Sequence, residues 1–99
     1  MKKIVLVCNM GMSTSALMKK MRDYAAKVGY ECTVDAYGVA EVAEHADADC
    51  ILVGPQIAYQ LNTIKTKVPT VPVEAVDTRA YGMLDGEKVI KQAQKLMGE

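Results

Sequence analysis

The chain has 99 residues, 12 Lys and Arg against 12 Asp and Glu, a single His and a formal net charge of zero. That length supports one hydrophobic core rather than two. The balanced charge excludes the basic footprint of a nucleic-acid binder and the basic amphipathic helix of a membrane-surface protein. Hydrophobic residues make up 51% of the chain, with five Tyr, seven Met and neither Phe nor Trp, so an aliphatic core with methionine filling its gaps is expected.

In chain order, KIVLVC (residues 3–8) is a β-branched run without alternation, the pattern of a strand covered on both faces. Leu17, Met21, Tyr24, Ala25 and Val28 then recur at helical spacing from about Ala16, and Gly29 is placed to end that helix. ECTVDAY (31–37) reads as a second strand, and Val39, Val42, Ala43 and Ala46 as a short helix. DCILVG (49–54) repeats the first apolar run. Pro55 suits the first turn of a helix whose apolar face is Ile57, Leu61, Ile64 and Val68. TVPVEAV (70–76) is a fourth strand that Pro72 confines to an edge or to its first residues. Asp85 is positioned to cap a last helix with Val89, Ile90, Ala93, Leu96 and Met97 on its buried face.

Alternating strands and helices predict a single α/β domain over residues 1–99, its parallel sheet covered on both faces and joined by right-handed crossovers. Such sheets bind ligands beyond the carboxyl ends of their strands, where the winding reverses. If the first strand is central, Cys8 stands at that mouth. The apolar runs are far below the roughly 20 residues that span a bilayer, and no signal region with a cleavage site follows Met1. No direct membrane insertion is expected, and the expected location is cytoplasmic. Cys8, Cys32 and Cys50 lack CxxC or metal-ligand spacing, which argues against a disulfide framework and a zinc site. No cofactor or metal is implied.

After Cys8 the chain reads Asn9, Met10, Gly11, Met12, Ser13, Thr14, Ser15. A short connection from strand to helix tends to gather inward-pointing backbone N–H groups at the positive end of the helix. Gly11 permits close approach, and the hydroxyls can cap the helix or donate to phosphate oxygens. Donors that bind an anion also stabilise a thiolate, so Cys8 is a candidate nucleophile whose phosphorylated form the same cradle would hold. A cysteine ending a buried strand is otherwise often an inert small hydrophobe.

CNMGMSTSALMKKM closely resembles the phosphorylation loop of enzyme IIB components of the bacterial phosphoenolpyruvate-dependent sugar phosphotransferase system, lactose/cellobiose/chitobiose group. DCILVGPQIAYQL and VPVEAVDTRAYGMLDG resemble two further blocks of those proteins, in order along the chain. The resemblance implies a four-stranded parallel sheet, order 2-1-3-4, with helices on both faces. It implies a phosphoryl carrier in which Cys8 accepts the group from a phosphohistidine of the IIA protein. Cys8 would pass it to a sugar, a disaccharide, held by the membrane transporter IIC, with residues Asn9 through Ser15 as the phosphoryl-binding loop. Met10, Met12, Gln56, Tyr59, Tyr81 and Met83 are the candidates to face those partners.

The alternative is a low-molecular-weight tyrosine phosphatase-like or arsenate reductase-like thiol enzyme built on a similar loop. That phosphatase places Arg six residues after its cysteine, whereas Thr14 stands there in this chain, and Asp77 is followed by Thr78 rather than by the proline of the phosphatase acid. A site without the guanidinium clamp and the acid would store a phosphocysteine rather than hydrolyse it. Elsewhere, Met18 and Met21 are expected in the core, Cys32 and Cys50 as inert strand residues and His45 on solvated surface. Lys19, Lys20, Arg22 and Lys27 are expected to form a solvated helix face.

Overall fold

Four β-branched segments form the sheet: β1 (Lys2–Val7), β2 (Cys32–Tyr37), β3 (Cys50–Val53) and β4 (Val73–Ala75). The structure is a computed structural model that describes residues 1–9 and 12–99. All the pairings are parallel and the order is β2-β1-β3-β4, as expected. Ile4 faces Val34 on one side and Cys50 on the other. Pro72 precedes β4, which is an edge strand, and its carbonyl accepts from Ile51 N at 2.9 Å, so the missing proline N–H costs the ladder nothing.

Because side chains alternate along a strand, β1 sends Ile4 and Leu6 to one face and Val5 and Val7 to the other. The first face is covered by α1 (Met12–Val28) and α4 (Gly86–Leu96), through Leu17, Met21, Val89, Ile90 and Ala93. The second is covered by α2 (Leu61–Lys67) and two 3-10 segments, Val39–His45 and Pro55–Gln60, through Val42, Ile57, Ile64 and Val68. A short helix not foreseen in the sequence, α3 (Thr78–Gly82), follows β4, with the Asp77 carboxylate accepting from Ala80 N.

Local signals account for the ends of the long helices. At the end of α1, Gly29 takes φ 72°, its N–H donates to Ala26 O and the Tyr30 N–H to Ala25 O. This paired closure requires a left-handed residue, which glycine supplies without a Cβ clash. Asp85 caps α4 through Lys88 N as expected. Gly86 is buried where α4 crosses α1; a Cβ there would lie 2.4 Å from the carbonyl carbon of Lys20 and 2.5 Å from Met21 N.

Several expectations need correction. α1 begins at Met12, four residues ahead of Ala16, so Ser13, Thr14 and Ser15 are helical rather than loop residues. Val28 is exposed, because closure at Gly29 turns the last position of the helix to solvent. The segments after Gly38 and Gly54 are 3-10, and Ala43 and Ala46 are exposed, leaving Val42 as the residue that the first of them buries. Arg22 is not simply solvated: it donates to Val34 O and pairs with Asp35 at 3.5 Å, tying α1 to β2. His45 stacks on Tyr37 with ring centroids 3.6 Å apart.

Candidate functional site

The winding of the sheet reverses between β1 and β3, and the chemistry-bearing residues collect at the carboxyl ends of those strands. Cys8 lies directly after β1, 3% exposed, and its N–H donates to Tyr37 O at 3.2 Å. The backbone of Cys8 is therefore held by β2. On its other side Gly54 N donates to Val7 O at 2.8 Å, bringing the end of β3 alongside. A Cβ at position 54 would stand 3.3 Å from Cys8 Cβ and 2.9 Å from Gln56 Oε1, so the glycine is favoured by close approach to the site and not by its φ of −59°.

Asn9 is exposed, while the expectations for Met10, Gly11 and the side chain of Met12 fall outside the described residues. As the first three residues of α1, Met12, Ser13 and Thr14 carry backbone N–H groups that helical geometry leaves without a partner in the helix. They stand at the positive end of a 17-residue helix, which favours an anion. Ser15, the fourth residue, is outside that set. Ser13 and Ser15 are exposed, but Thr14 is 2% exposed and its hydroxyl turns inward.

Thr14 Oγ1 lies 2.9 Å from Tyr81 Oη, and Gln56 Nε2 donates to the same phenol oxygen at 3.0 Å. Gln56 occupies one acceptor site of the phenol oxygen, and in the bond to Thr14 either hydroxyl can donate. Tyr81 is thus a correction to the expected partner-facing set. Its ring is buried with the core of α1 and α4, and its hydroxyl joins α1, α3 and the segment after β3. Tyr59 and Met83 are 81% and 67% exposed, and Gln56 is exposed beyond its bond to Tyr81. Asp77 spends its carboxylate on the cap of α3.

The other thiols are of a different kind. Burial pushes the Cys50 thiol up to about 12 and raises that of Cys32, which suits the inert role expected of both. Among the described residues, no group of three His, Cys, Asp or Glu side chains is placed to hold a metal ion, and no helix is long and apolar enough to cross a membrane.

A sequence model of the family described as "PTS system, Lactose/Cellobiose specific IIB subunit" matches residues 3–92. The chain belongs to that family. This IIB chain is 41% identical over 100 residues to the oligo-beta-mannoside-specific EIIB component of Bacillus subtilis, covering 98% of itself and 97% of the relative. It is 34% identical over 104 residues to the cellobiose-specific EIIB component of Lactococcus lactis subsp. lactis, covering 97% and 96%. The solution structure of a cellobiose-specific phosphotransferase IIB component protein from Borrelia burgdorferi superposes with a TM-score of 0.83 at 32% identity, over 98% of this chain and 92% of that one. The lactose-specific IIB domain from Streptococcus pneumoniae, 14% identical, shares the fold with a TM-score of 0.82 over 95% of each chain. IIB chains are phosphotransferase components of sugar transport, and this one carries the cysteine, the helix end and the sheet mouth in one place.

The sequence did not announce Gly54 or the bond between Thr14 and Tyr81. The glycine had a signal, since a Gly-Pro pair directly after a central strand marks a turn where another backbone comes close. Sixty-seven residues separate Thr14 from Tyr81, and no local pattern encodes their contact.

Proposed function

We propose that this IIB chain is a cytoplasmic phosphoryl carrier whose nucleophile is Cys8. The sulfur attacks the phosphorus of a phosphohistidine on the IIA protein, the S–P bond forms as the N–P bond breaks, and the electron pair of that bond returns to the imidazole. A sugar hydroxyl held by the IIC transporter then attacks the same phosphorus. The C–O–P linkage forms, the S–P bond breaks to restore the thiolate, and the hydroxyl proton leaves to solvent. Residues from Asn9 to the first turn of α1 hold the phosphoryl oxygens, with Ser13 and Thr14 contributing unpaired amides.

The observation that carries this reading is the placement of Cys8 at the end of a central strand, beside the N-terminus of a long helix that follows it within four residues. The exposed Tyr59 and Met83 at the same end of the sheet suit a surface that must meet two partners in turn. A disaccharide is the proposed acceptor. The relatives are named for oligo-beta-mannoside, galactose and cellobiose, and two of those three are glycosides of more than one sugar.

The test is incubation with phosphorylated IIA protein of the lactose/cellobiose type, followed by intact-mass and peptide analysis. One phosphoryl group on Cys8, absent from Cys8→Ser, is the expected result. A label on another residue, or equal labelling of Cys8→Ser, refutes the assignment. Steady hydrolysis of an aryl phosphate would instead place the chain with the thiol phosphatases, a reading that the buried Thr14 and the capped Asp77 do not favour.

A further inference from the structure

The hydroxyl of Tyr81 is where three segments of the carboxyl end of the sheet meet. It bonds Thr14 in the first turn of α1 and Gln56 in the turn after β3, and it is itself carried by α3. α3 is fixed in its turn. Asp77 caps it, Asp77 N donates to Gln92 Oε1 at 3.0 Å, and Gln92 Nε2 donates to Ala75 O at 2.8 Å. Bonds to β4 and α4 therefore hold α3, and α3 carries the tyrosine whose hydroxyl reaches a buried threonine two residues inside α1.

We propose that Tyr81, oriented by Gln56, is a positioning residue for the phosphoryl site: by holding the Thr14 hydroxyl it fixes the start of α1, whose unpaired amides receive the phosphoryl oxygens. The inference rests on the phosphoryl-carrier reading and assigns the tyrosine no contact with the transferred group. Its physical basis is that helix ends open more readily than helix interiors, while oxyanion stabilisation depends on donors held close to their productive geometry. A threonine in the first turn is stiff at χ1, so a bond at its Oγ1 constrains the backbone that carries it. The position that a tyrosine phosphatase gives to its arginine is thus used here to anchor the first turn of α1.

The experiment compares wild type, Tyr81→Phe, Thr14→Val, Thr14→Ser and Tyr30→Phe in single-turnover phosphoryl transfer from phosphorylated IIA protein of the lactose/cellobiose type. Amide hydrogen exchange is followed on the same unphosphorylated proteins. Tyr30 is the control: its hydroxyl bonds Glu99 at the opposite end of the sheet. Tyr81→Phe and Thr14→Val are expected to lower the saturating rate about tenfold, since small misplacements of positioned groups carry penalties of that order and above. The donor concentration at half-saturation should stay unchanged. Thr14→Ser, which keeps the hydroxyl but not the β-branching, should lose less of the rate than Thr14→Val, and the Tyr81→Phe/Thr14→Val double variant should be no slower than either single one, because the two share one bond.

Exchange of the amides of residues 16–18, which bond back to the carbonyls of residues 12–14, should accelerate in Tyr81→Phe while that of β1 and β3 does not. An unchanged rate in Tyr81→Phe, or a rate loss equalled by Tyr30→Phe, overturns the proposal. So does unchanged exchange at the amides of residues 16–18. If wild type takes no phosphoryl group yet exchange accelerates locally, the carrier reading falls and the clamp on α1 stands. Should Tyr81→Phe fail to fold, the comparison of Thr14→Val with Thr14→Ser decides the matter alone.

Discussion

Gly86→Ala is expected to destabilise the domain although it replaces glycine by the best helix former. Alanine is favoured over glycine in a helix by about 1 kcal/mol, and Gly86 is the first residue of α4. The new Cβ would stand 2.4 Å from the carbonyl carbon of Lys20, 2.5 Å from its oxygen and 2.5 Å from Met21 N. All three are backbone atoms of α1, so no side chain can rotate away. Comfortable contact begins near ~3.5 Å, so the helices must separate by about 1 Å. That movement loosens Leu17 and Met21 against Val89, Ile90 and Ala93. Overpacking of this kind costs about 3 kcal/mol at the upper end of its usual range, and after the propensity gain about 2 kcal/mol of loss remains. For a domain of this size that is a fall in Tm of about 10 °C. Urea unfolding followed by circular dichroism measures it, with Gly82→Ala as the partner experiment, because a Cβ at position 82 meets nothing within 4 Å. Gly82→Ala should be neutral or gain up to ~1 kcal/mol. Equal or greater stability of Gly86→Ala than of wild type would show that the close crossing of α1 and α4 is not what demands the glycine.

Gly54→Ala should fold, its φ being open to any residue, but its Cβ would displace the Gln56 amide and crowd Cys8. Phosphoryl acceptance is expected to fall about tenfold with little change in Tm, and an unaltered rate refutes the role given to that contact. Gly29→Ala must place a Cβ at φ 72°, and a loss of about 1 kcal/mol is expected in urea unfolding. The raised thiol of Cys50 makes stability pH-dependent. The unfolded chain releases that proton near the ordinary value of 9.0, whereas the folded chain keeps it to about 12. The unfolded state then binds fewer protons, so stability falls as pH rises through that window. Cys50→Ala should show a shallower fall between those values in denaturant titrations. An identical slope would remove Cys50 as its source.

Most of the architecture was legible because it is written in local pattern. The unbroken apolar runs at β1 and β3 declare strands buried on both faces, and Gly29, Pro72 and Asp85 act through backbone chemistry that needs no knowledge of the rest of the chain. What escaped is set by tertiary context. The start of α1 was placed late because Ser13, Thr14 and Ser15 are neutral as helix formers and favoured as caps, so sequence alone does not show whether they precede the helix or open it. The five-residue α3 is too short to show a period, and its one cue is a capping Asp77. For the candidate site, the position of Cys8 at the end of β1 and ahead of a helix follows from sequence. Tyr81 was misassigned because an aromatic residue after an edge strand looks the same whether its hydroxyl meets a partner protein or a buried threonine.

That misassignment bears on how a single kind of cysteine loop can serve either storage or hydrolysis. Hydrolysis needs a proton donor for the leaving group and a strong cation at the transferring phosphoryl, both set against the sulfur. In this chain the residue six after Cys8 is a 2% exposed threonine whose oxygen is already bonded, with Tyr81 and the core behind it. An arginine there would have to bury its guanidinium in place of a small hydroxyl beside Tyr81 or displace α1, and either is costly. Arg22 is committed to β2 through Val34 O and Asp35, and the Asp77 carboxylate to the cap of α3. Packing at these three positions thus keeps Thr14, Arg22 and Asp77 from supplying the cation or the acid that hydrolysis would need. Thr14→Arg is accordingly expected to lose stability without gaining turnover of an aryl phosphate. Steady hydrolysis by that variant at unchanged Tm would show that the threonine and its tyrosine are no obstacle to phosphatase chemistry.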